Sequence, residues 1–163
     1  MKIDKNIIVI GIPSWKWKKK LCRYARKHLH IVRFPISKKL CHENSRHFEV
    51  LQLFDNGCID FSDTEYYKFN IENGKSKKDV VSKIQSFEEL YKSICSKYKE
   101  KSPPIITDDG CRLDGSHRLS ILVHLGVEYA DLNVVSYEYL FSKDKSMEIR
   151  KQVKEYRKQV YGL

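Results

Sequence analysis

The chain of 163 residues lacks any apolar run approaching the roughly 18–20 residues that a bilayer span requires. Its longest early run, Ile7-Ile8-Val9-Ile10, comes before the basic residues, the reverse of a secretory leader, so a cytoplasmic location is the expectation. It also lacks paired cysteines. Cys22, Cys41, Cys58, Cys95 and Cys111 are odd in number and contain no Cys-x-x-Cys, which argues against a disulfide framework and fits a reducing compartment. Spacing likewise argues against a zinc site built from Cys22, His28, His30, Cys41 and His42. Repeats and low-complexity tracts are missing. Between Lys5 and His42 acid is missing too: eleven Lys/Arg stand there with no Asp or Glu. The chain as a whole carries 31 Lys/Arg and 21 Asp/Glu, a net charge of +10, so outside this segment it is close to neutral.

What is present is an ordinary globular composition, 41% hydrophobic and 32% charged, enough for one domain with a core. Residues 5–13 read as a buried strand ended by Gly11 and Pro13, with Ser14 as N-cap of a helix through His30, and HIVRFPI (30–36) as a returning strand. The alternation in 47–61 around Asp55-Asn56-Gly57 predicts a hairpin, and EYYKFNI (65–71) a further strand stopped at Glu72-Asn73-Gly74. From Ser76 to Lys101 the pattern is helical, with Phe87, Leu90, Tyr91 and Ile94 on one face and Ser86 with Glu89 as a capping box. Then come a tight hairpin (104–107 and 111–114), a helix over 116–126 stopped by Gly126, a strand over 130–137, and a charged terminal helix. That helix has a thin seam at Ile149, Val153, Tyr156 and Val160, for packing along the domain or against a second subunit. The fold class expected is α/β (α+β), divided as a basic β-α-β extension (1–46), a central domain (47–140) and a terminal helix (141–163).

The most informative stretch is Asp114-Gly115-Ser116-His117-Arg118, polar residues packed into a strand-to-helix joint. Gly115 permits a sharp turn and leaves no side chain to obstruct a ligand. The first helical turn offers unpaired amides and the positive end of the helix dipole, a setting for phosphate or carboxylate. Ser116 and His117 can add donors, and the Arg118 guanidinium can grip two oxygens. Asp114 can hold Mg²⁺ or orient His117. A turn followed by a plain helix cap would use the same residues.

The run PPIITDDGCRLDGSHRLSILVHLGVEYADLNVV resembles the second half of the ParB/sulfiredoxin-like fold: Pro-Ile, a short hairpin, Asp-Gly-x-His-Arg, an apolar helix, a Gly and a closing strand. EYYKFNI and the 79–98 helix are similar to that domain's first strand and helix, so the resemblance covers about residues 60–140. Ser116 stands where sulfiredoxins carry their catalytic Cys. The partitioning proteins' Arg-rich joint is not here, and the roughly 25 residues after Tyr137 are too few for their helix-turn-helix. The joint is most similar to that of the nucleotide-dependent free-serine kinases.

What the resemblance implies is an ATP- or ADP-dependent small-molecule kinase that moves a phosphoryl group from a nucleoside di- or triphosphate to the hydroxyl of an amino acid- or sugar-like acceptor, with Mg²⁺. Gly115, Ser116, His117 and Arg118 would bind the phosphates and Asp114 the metal. Catalysis would fall to Asp114, His117 and an upstream carboxylate, Glu72, with Glu65 and Asp60 in reserve. The competing expectation is a nucleotide-gated DNA-binding or nuclease-like module that uses the basic helix; a third is a nucleotide sensor without chemistry. On that helix Lys16, Lys20, Arg23 and Lys27 form a cationic stripe with Trp15, Trp17 and Tyr24 interleaved. It suits nucleic acid, an anionic membrane surface, the mouth of a site for an acidic substrate, or plain solvation.

Overall fold

A computed structural model describes residues 9–13, 15–36, 45–97 and 102–162. Among them are six α-helices and one five-stranded mixed sheet, an α/β protein as the sequence predicted. The strands are β1 (Ile10–Gly11), β2 (Ile31–Pro35), β3 (Ile105–Thr107), β4 (Cys111–Asp114) and β5 (Tyr129–Val135). The helices are α1 (Lys16–Lys27), α2 (Ser45–Asp55), α3 (Glu65–Glu72), α4 (Lys77–Lys97), α5 (Ser116–His124) and α6 (Lys143–Tyr161). None is long and apolar enough to cross a membrane among the described residues.

Short apolar runs bounded by turn residues make the sheet, in the order β1-β4-β3-β5-β2. β3 and β4 form the expected antiparallel hairpin, turned at Gly110 (φ +83°). β5 lies parallel to β3, with Ile106 opposite Val134. β1 pairs parallel with β4 and β2 antiparallel with β5, so the basic N-terminal segment supplies both edges of the sheet. It is woven into the same sheet as the hairpin and β5 rather than standing in front of it.

Side chains alternate across a strand, and here both faces are apolar, so both must be covered. Val9, Ile106, Leu132 and Val134 pack with α2 to α5. Ile10, Ile105, Cys111, Leu113 and Val135 pack with α1 and α6, where Leu21, Ala25, Ile149 and Val153 are buried. Each fully buried aliphatic contributes about 1.5–3 kcal/mol. Asn133 is the polar exception in β5: its side chain donates to the Ala25 carbonyl (2.7 Å) and accepts from the His30 amide (3.0 Å), tying the end of α1 to the sheet. α6 runs along the domain, held by Arg150, which grips Asp108 (2.9 and 3.0 Å) and Glu138 (2.9 Å). Ile149, Val153 and Tyr156 of the predicted seam face inward, and Val160 is exposed.

Two predicted strand regions are helices. The 47–61 stretch is α2 followed by a loop, because the Asn56-Gly57 read as a hairpin turn terminates a helix. Gly57 is left-handed (φ +64°), and the Gly57 and Cys58 amides return to the Phe54 and Leu53 carbonyls. EYYKFNI is α3, capped by Thr64, whose hydroxyl accepts from the Tyr67 amide (3.1 Å), and ended at Gly74 (φ +79°). The first strand assigned through the family resemblance is therefore a helix. The side-chain cap of α4 lies ten residues before the predicted capping box: the Ser76 hydroxyl accepts from the Asp79 amide (3.1 Å) and donates to its carboxylate (2.7 Å). Ser86 and Glu89 sit inside the helix. At α1 the N-cap residue is Trp15; Ser14, predicted for that role, lies outside the described residues.

Candidate functional site

The strand-to-helix joint forms as the sequence predicted: β4 ends at Asp114, Gly115 is the left-handed N-cap (φ +87°), and α5 begins at Ser116. The glycine has a second purpose that the sequence did not reveal. A Cβ there would lie 2.7 Å from Pro104 Cβ and 2.8 Å from its Cα, so the open side of Gly115 is filled by Pro104 rather than left for a ligand. The other side of the elbow is the helix end. There the first-turn amides of Ser116, His117 and Arg118 have no intrahelical partner, and the Ser116 carbonyl accepts from the Ser120 hydroxyl (3.0 Å).

Asp114 spans the mouth of the elbow. One carboxylate oxygen accepts from the Gly115 amide (2.8 Å), the other from Arg26 of α1 (2.9 Å). Burial pushes the carboxyl up, but those two hydrogen bonds and the charges of Arg26 and Arg118 outweigh it and hold its pKa below the usual range. The hydrogen bond to Asp114 correspondingly raises that of Arg26. Arg118 donates to Ser102 (2.8 Å). Arg26, Ser102, Pro103, Asp114 and Asn133 line a cavity of about 340 Å³ beside the joint.

His117 does not join this set. It turns into the layer between α5, α2, α3 and α4, stacked on Phe87 (ring centroids 4.4 Å apart) and edge-on to His47 (4.7 Å), with its Nε2 3.3 Å from the Tyr66 hydroxyl. Burial pushes His117 down to about 4, helped by the positive charges of Lys83 and Arg112. Burial lowers His47 to about 3, with His117, Arg112 and Arg46 contributing. Both rings are neutral at pH 7. In this arrangement the His117 ring is a packed aromatic partner beneath the elbow, apart from the set made by Asp114, Arg26 and Arg118.

The proposed carboxylates are scattered. Glu72 is the last residue of α3 and exposed. The α3 residue that reaches His117 is Tyr66, so Glu72, six residues on, lies about 9 Å farther along the helix. Glu65 starts α3, its amide bound by Glu49 (2.8 Å). Asp60 lies in the loop after α2, accepts from the Ser62 amide (2.9 Å), and borders a separate cavity of about 370 Å³. Only Asp114 stands at the elbow among the described residues, with both oxygens engaged and two guanidiniums near it. No group of three or more His, Cys, Asp or Glu suited to a metal occurs among the described residues. This donor set fits an anion and does not fit a resident Mg²⁺.

Lys16, Lys20, Arg23 and Lys27 lie exposed on the outer face of α1, away from its buried Leu21, Cys22 and Ala25. Arg26, one position off that stripe, is the α1 residue that reaches the elbow, 88 residues from its partner in sequence, and no local pattern marks it. His47 did leave a signal: with Val50, Leu51 and Phe54 it falls at helical spacing on an apolar face. Compared with known proteins, the chain matches no family model, no curated protein and no solved structure.

Proposed function

We propose that the elbow binds the phosphate groups of a nucleotide, ATP or another nucleoside di- or triphosphate, and that the protein transfers a phosphoryl group to the hydroxyl of a small molecule. What supports this reading is the approach of two guanidiniums to the elbow: Arg26 bonds Asp114 beside a cavity of about 340 Å³, and Arg118, in the first turn of α5, bonds Ser102, which lines that cavity. The resemblance to the ParB/sulfiredoxin-like fold leads to the same chemistry.

Phosphoryl transfer rests chiefly on positioning and on neutralising the oxygens of the moving group. In this reading the first-turn amides and Arg118 hold the phosphates, and Arg26 exchanges Asp114 for a phosphate oxygen. Asp114, ionised and released from Arg26, then orients the acceptor hydroxyl in place of the distant Glu72. The bond from phosphorus to the bridging oxygen breaks and one to the acceptor oxygen forms. The hydroxyl proton passes to Asp114 and on to solvent, and the nucleotide leaves with one phosphate fewer. No step depends on His117.

Thermal melting with ATP, ADP and CTP, with and without Mg²⁺, tests the binding. At a hundred times Kd a ligand stabilises by about 2.7 kcal/mol, or roughly 5–10 °C for a chain of this size. Arg118→Ala and Arg26→Ala should each remove most of that shift. Asp114→Asn should keep it while abolishing nucleotide turnover with an amino-alcohol or sugar acceptor. A shift that survives Arg118→Ala unchanged would refute the site.

A further inference from the structure

The fold sorts charge across the sheet in a way that composition alone does not reveal. α1 and α6, which cover one face, carry fourteen Lys/Arg and three Asp/Glu. α2 to α5, which cover the other, carry eight and seven. Lysine richness is therefore common to both layers, but in one it is balanced and in the other it is not. The unbalanced layer is continuous: Trp15, at the start of α1, meets Tyr156 of α6 (ring centroids 6.0 Å apart), and both helices pack on one core cluster. Their inward faces carry Leu21, Ala25, Ile149 and Val153, so Lys16, Lys20, Arg23 and Lys27 of α1 and Lys151, Lys154 and Lys158 of α6 are left exposed.

We propose that this two-helix face docks the phosphate backbone of double-stranded nucleic acid. A membrane-surface helix must keep its apolar side free to enter the interface. Here the apolar sides of both helices are spent on the core, apart from Met147 and Val160 of α6, and the indoles are occupied, Trp15 on Trp17 and Tyr156, Trp17 on Tyr137. A single-strand site needs aromatic rings free to stack with bases, and the same ring contacts remove them. What remains is a row of lysines about 10 Å long on α6, from Lys151 to Lys158, beside one of about 16 Å on α1, from Lys16 to Lys27, the lengths of about three and five base pairs. That suits a regular ladder of phosphates read without regard to sequence. The inference is independent of the elbow and stands if no nucleotide binds there.

Fluorescence anisotropy of a labelled 20-base-pair DNA of arbitrary sequence, titrated with the full chain between 50 and 200 mM NaCl, tests it. Binding should weaken steeply with salt, about a thousandfold over that range for six phosphates engaged. Replacing Lys16, Lys20, Arg23 and Lys27 by Gln, or Lys151, Lys154 and Lys158 by Gln, should each raise Kd at least tenfold and flatten the salt dependence by about 0.9 in log–log slope for each phosphate no longer neutralised. The variant with Lys68, Lys77 and Lys78 replaced by Gln, on the opposite layer, carries the same charge change as the α6 variant and should stay within twofold of the parent. All substitutions are at exposed positions, and unchanged melting temperatures would establish intact folds. The proposal is overturned by absence of binding at 50 mM salt, by equal loss in the opposite-layer variant, or by either helix's variant binding as the parent does. Uptake by phosphatidylserine vesicles under conditions where the duplex is not bound would assign the face to membranes instead.

Discussion

Replacing Gly115 by Ala separates two constraints that the elbow imposes at one position. The backbone there is left-handed, φ +87°, which disfavours any residue with a Cβ by about 1–2 kcal/mol. The added methyl also meets Pro104 at 2.7 and 2.8 Å, and Pro104 has little room to retreat. Its carbonyl accepts the Asn133 amide (2.9 Å), which anchors it to the buried strand β5. Overpacking against a fixed neighbour adds about 1–3 kcal/mol, for a total of about 2–5 kcal/mol. Gly126→Ala is the internal reference: φ is +74° and nothing lies within 4 Å of the place its methyl would take, so only the backbone cost applies. Urea unfolding of both variants reads the difference directly. Gly115→Ala should lose about 1–3 kcal/mol more than Gly126→Ala, with an unchanged m-value and a melting temperature lower by roughly 5–15 °C than the parent's. Equal losses in the two variants would mean that Pro104 does not close the elbow, and the assignment of its open side to the helix end would fail with it.

The half-buried histidine pair, His47 and His117, predicts a pH dependence. In the unfolded chain both rings titrate near 6.5, and in the fold they titrate at about 4 (His117) and about 3 (His47). The unfolded state therefore binds more protons below pH 6.5. Stability is full above that value and falls as pH drops, by about 1.4 kcal/mol per pH unit for each ring, levelling near pH 4 for His117 and near pH 3 for His47. Urea midpoints between pH 7 and 4.5 should fall less steeply in His47→Gln, and parallel slopes would remove the pair as the cause. Asn133→Leu strands the Ala25 carbonyl and the His30 amide and should destabilise by about 1–3 kcal/mol; a loss below about 0.5 kcal/mol in chemical denaturation would show that solvent satisfies both groups.

The parts of the fold legible in the sequence are those where turn chemistry admits one outcome. Asp109-Gly110 between two short apolar runs, and Gly126 after a helical period, define the β3–β4 hairpin and α5 correctly. The stretch from 47 to 71 misled because a left-handed glycine serves equally as a hairpin turn and as a helix terminator, and Asn56-Gly57 and Asn73-Gly74 have both looks. The helical spacing of His47, Val50, Leu51 and Phe54, and the Thr64 cap, were the local signals that decide between the two. The Arg26–Asp114 pair had no such signal, since only the packing of α1 on the sheet brings the two together. It is also a half-exposed contact, 62% and 42% open, worth about 1 kcal/mol or less as a salt bridge. Under the proposed function, that low value suits a guanidinium that exchanges Asp114 for a phosphate oxygen.

A run of polar residues across a strand-to-helix joint is not one site, because a helix turns about 100° per residue. Ser116, His117 and Arg118 are consecutive, so their side chains leave the axis in three directions. Arg118 stays at the mouth with Ser102, while His117 falls on the side of α5 that also carries Ser120 and His124. Along that side α5 meets α2 through Ser120 and His47 (3.3 Å) and through His124 and Asp55 (2.7 Å). His117 is thus the first polar residue of a helix–helix seam, where its own burial, with the charges of Lys83 and Arg112, holds it neutral. The elbow's capacity for a negative charge then rests on backbone amides and on two arginines from different elements, one in α5 and one delivered by α1. An arrangement so divided makes α1 a component of the site: loosening α1 from the sheet should weaken anion binding even with every residue from 114 to 118 intact. Asn133→Leu, which removes the tie between β5 and the end of α1, should therefore lower nucleotide affinity as well as stability, and retention of full affinity in that variant would place Arg26 outside the site.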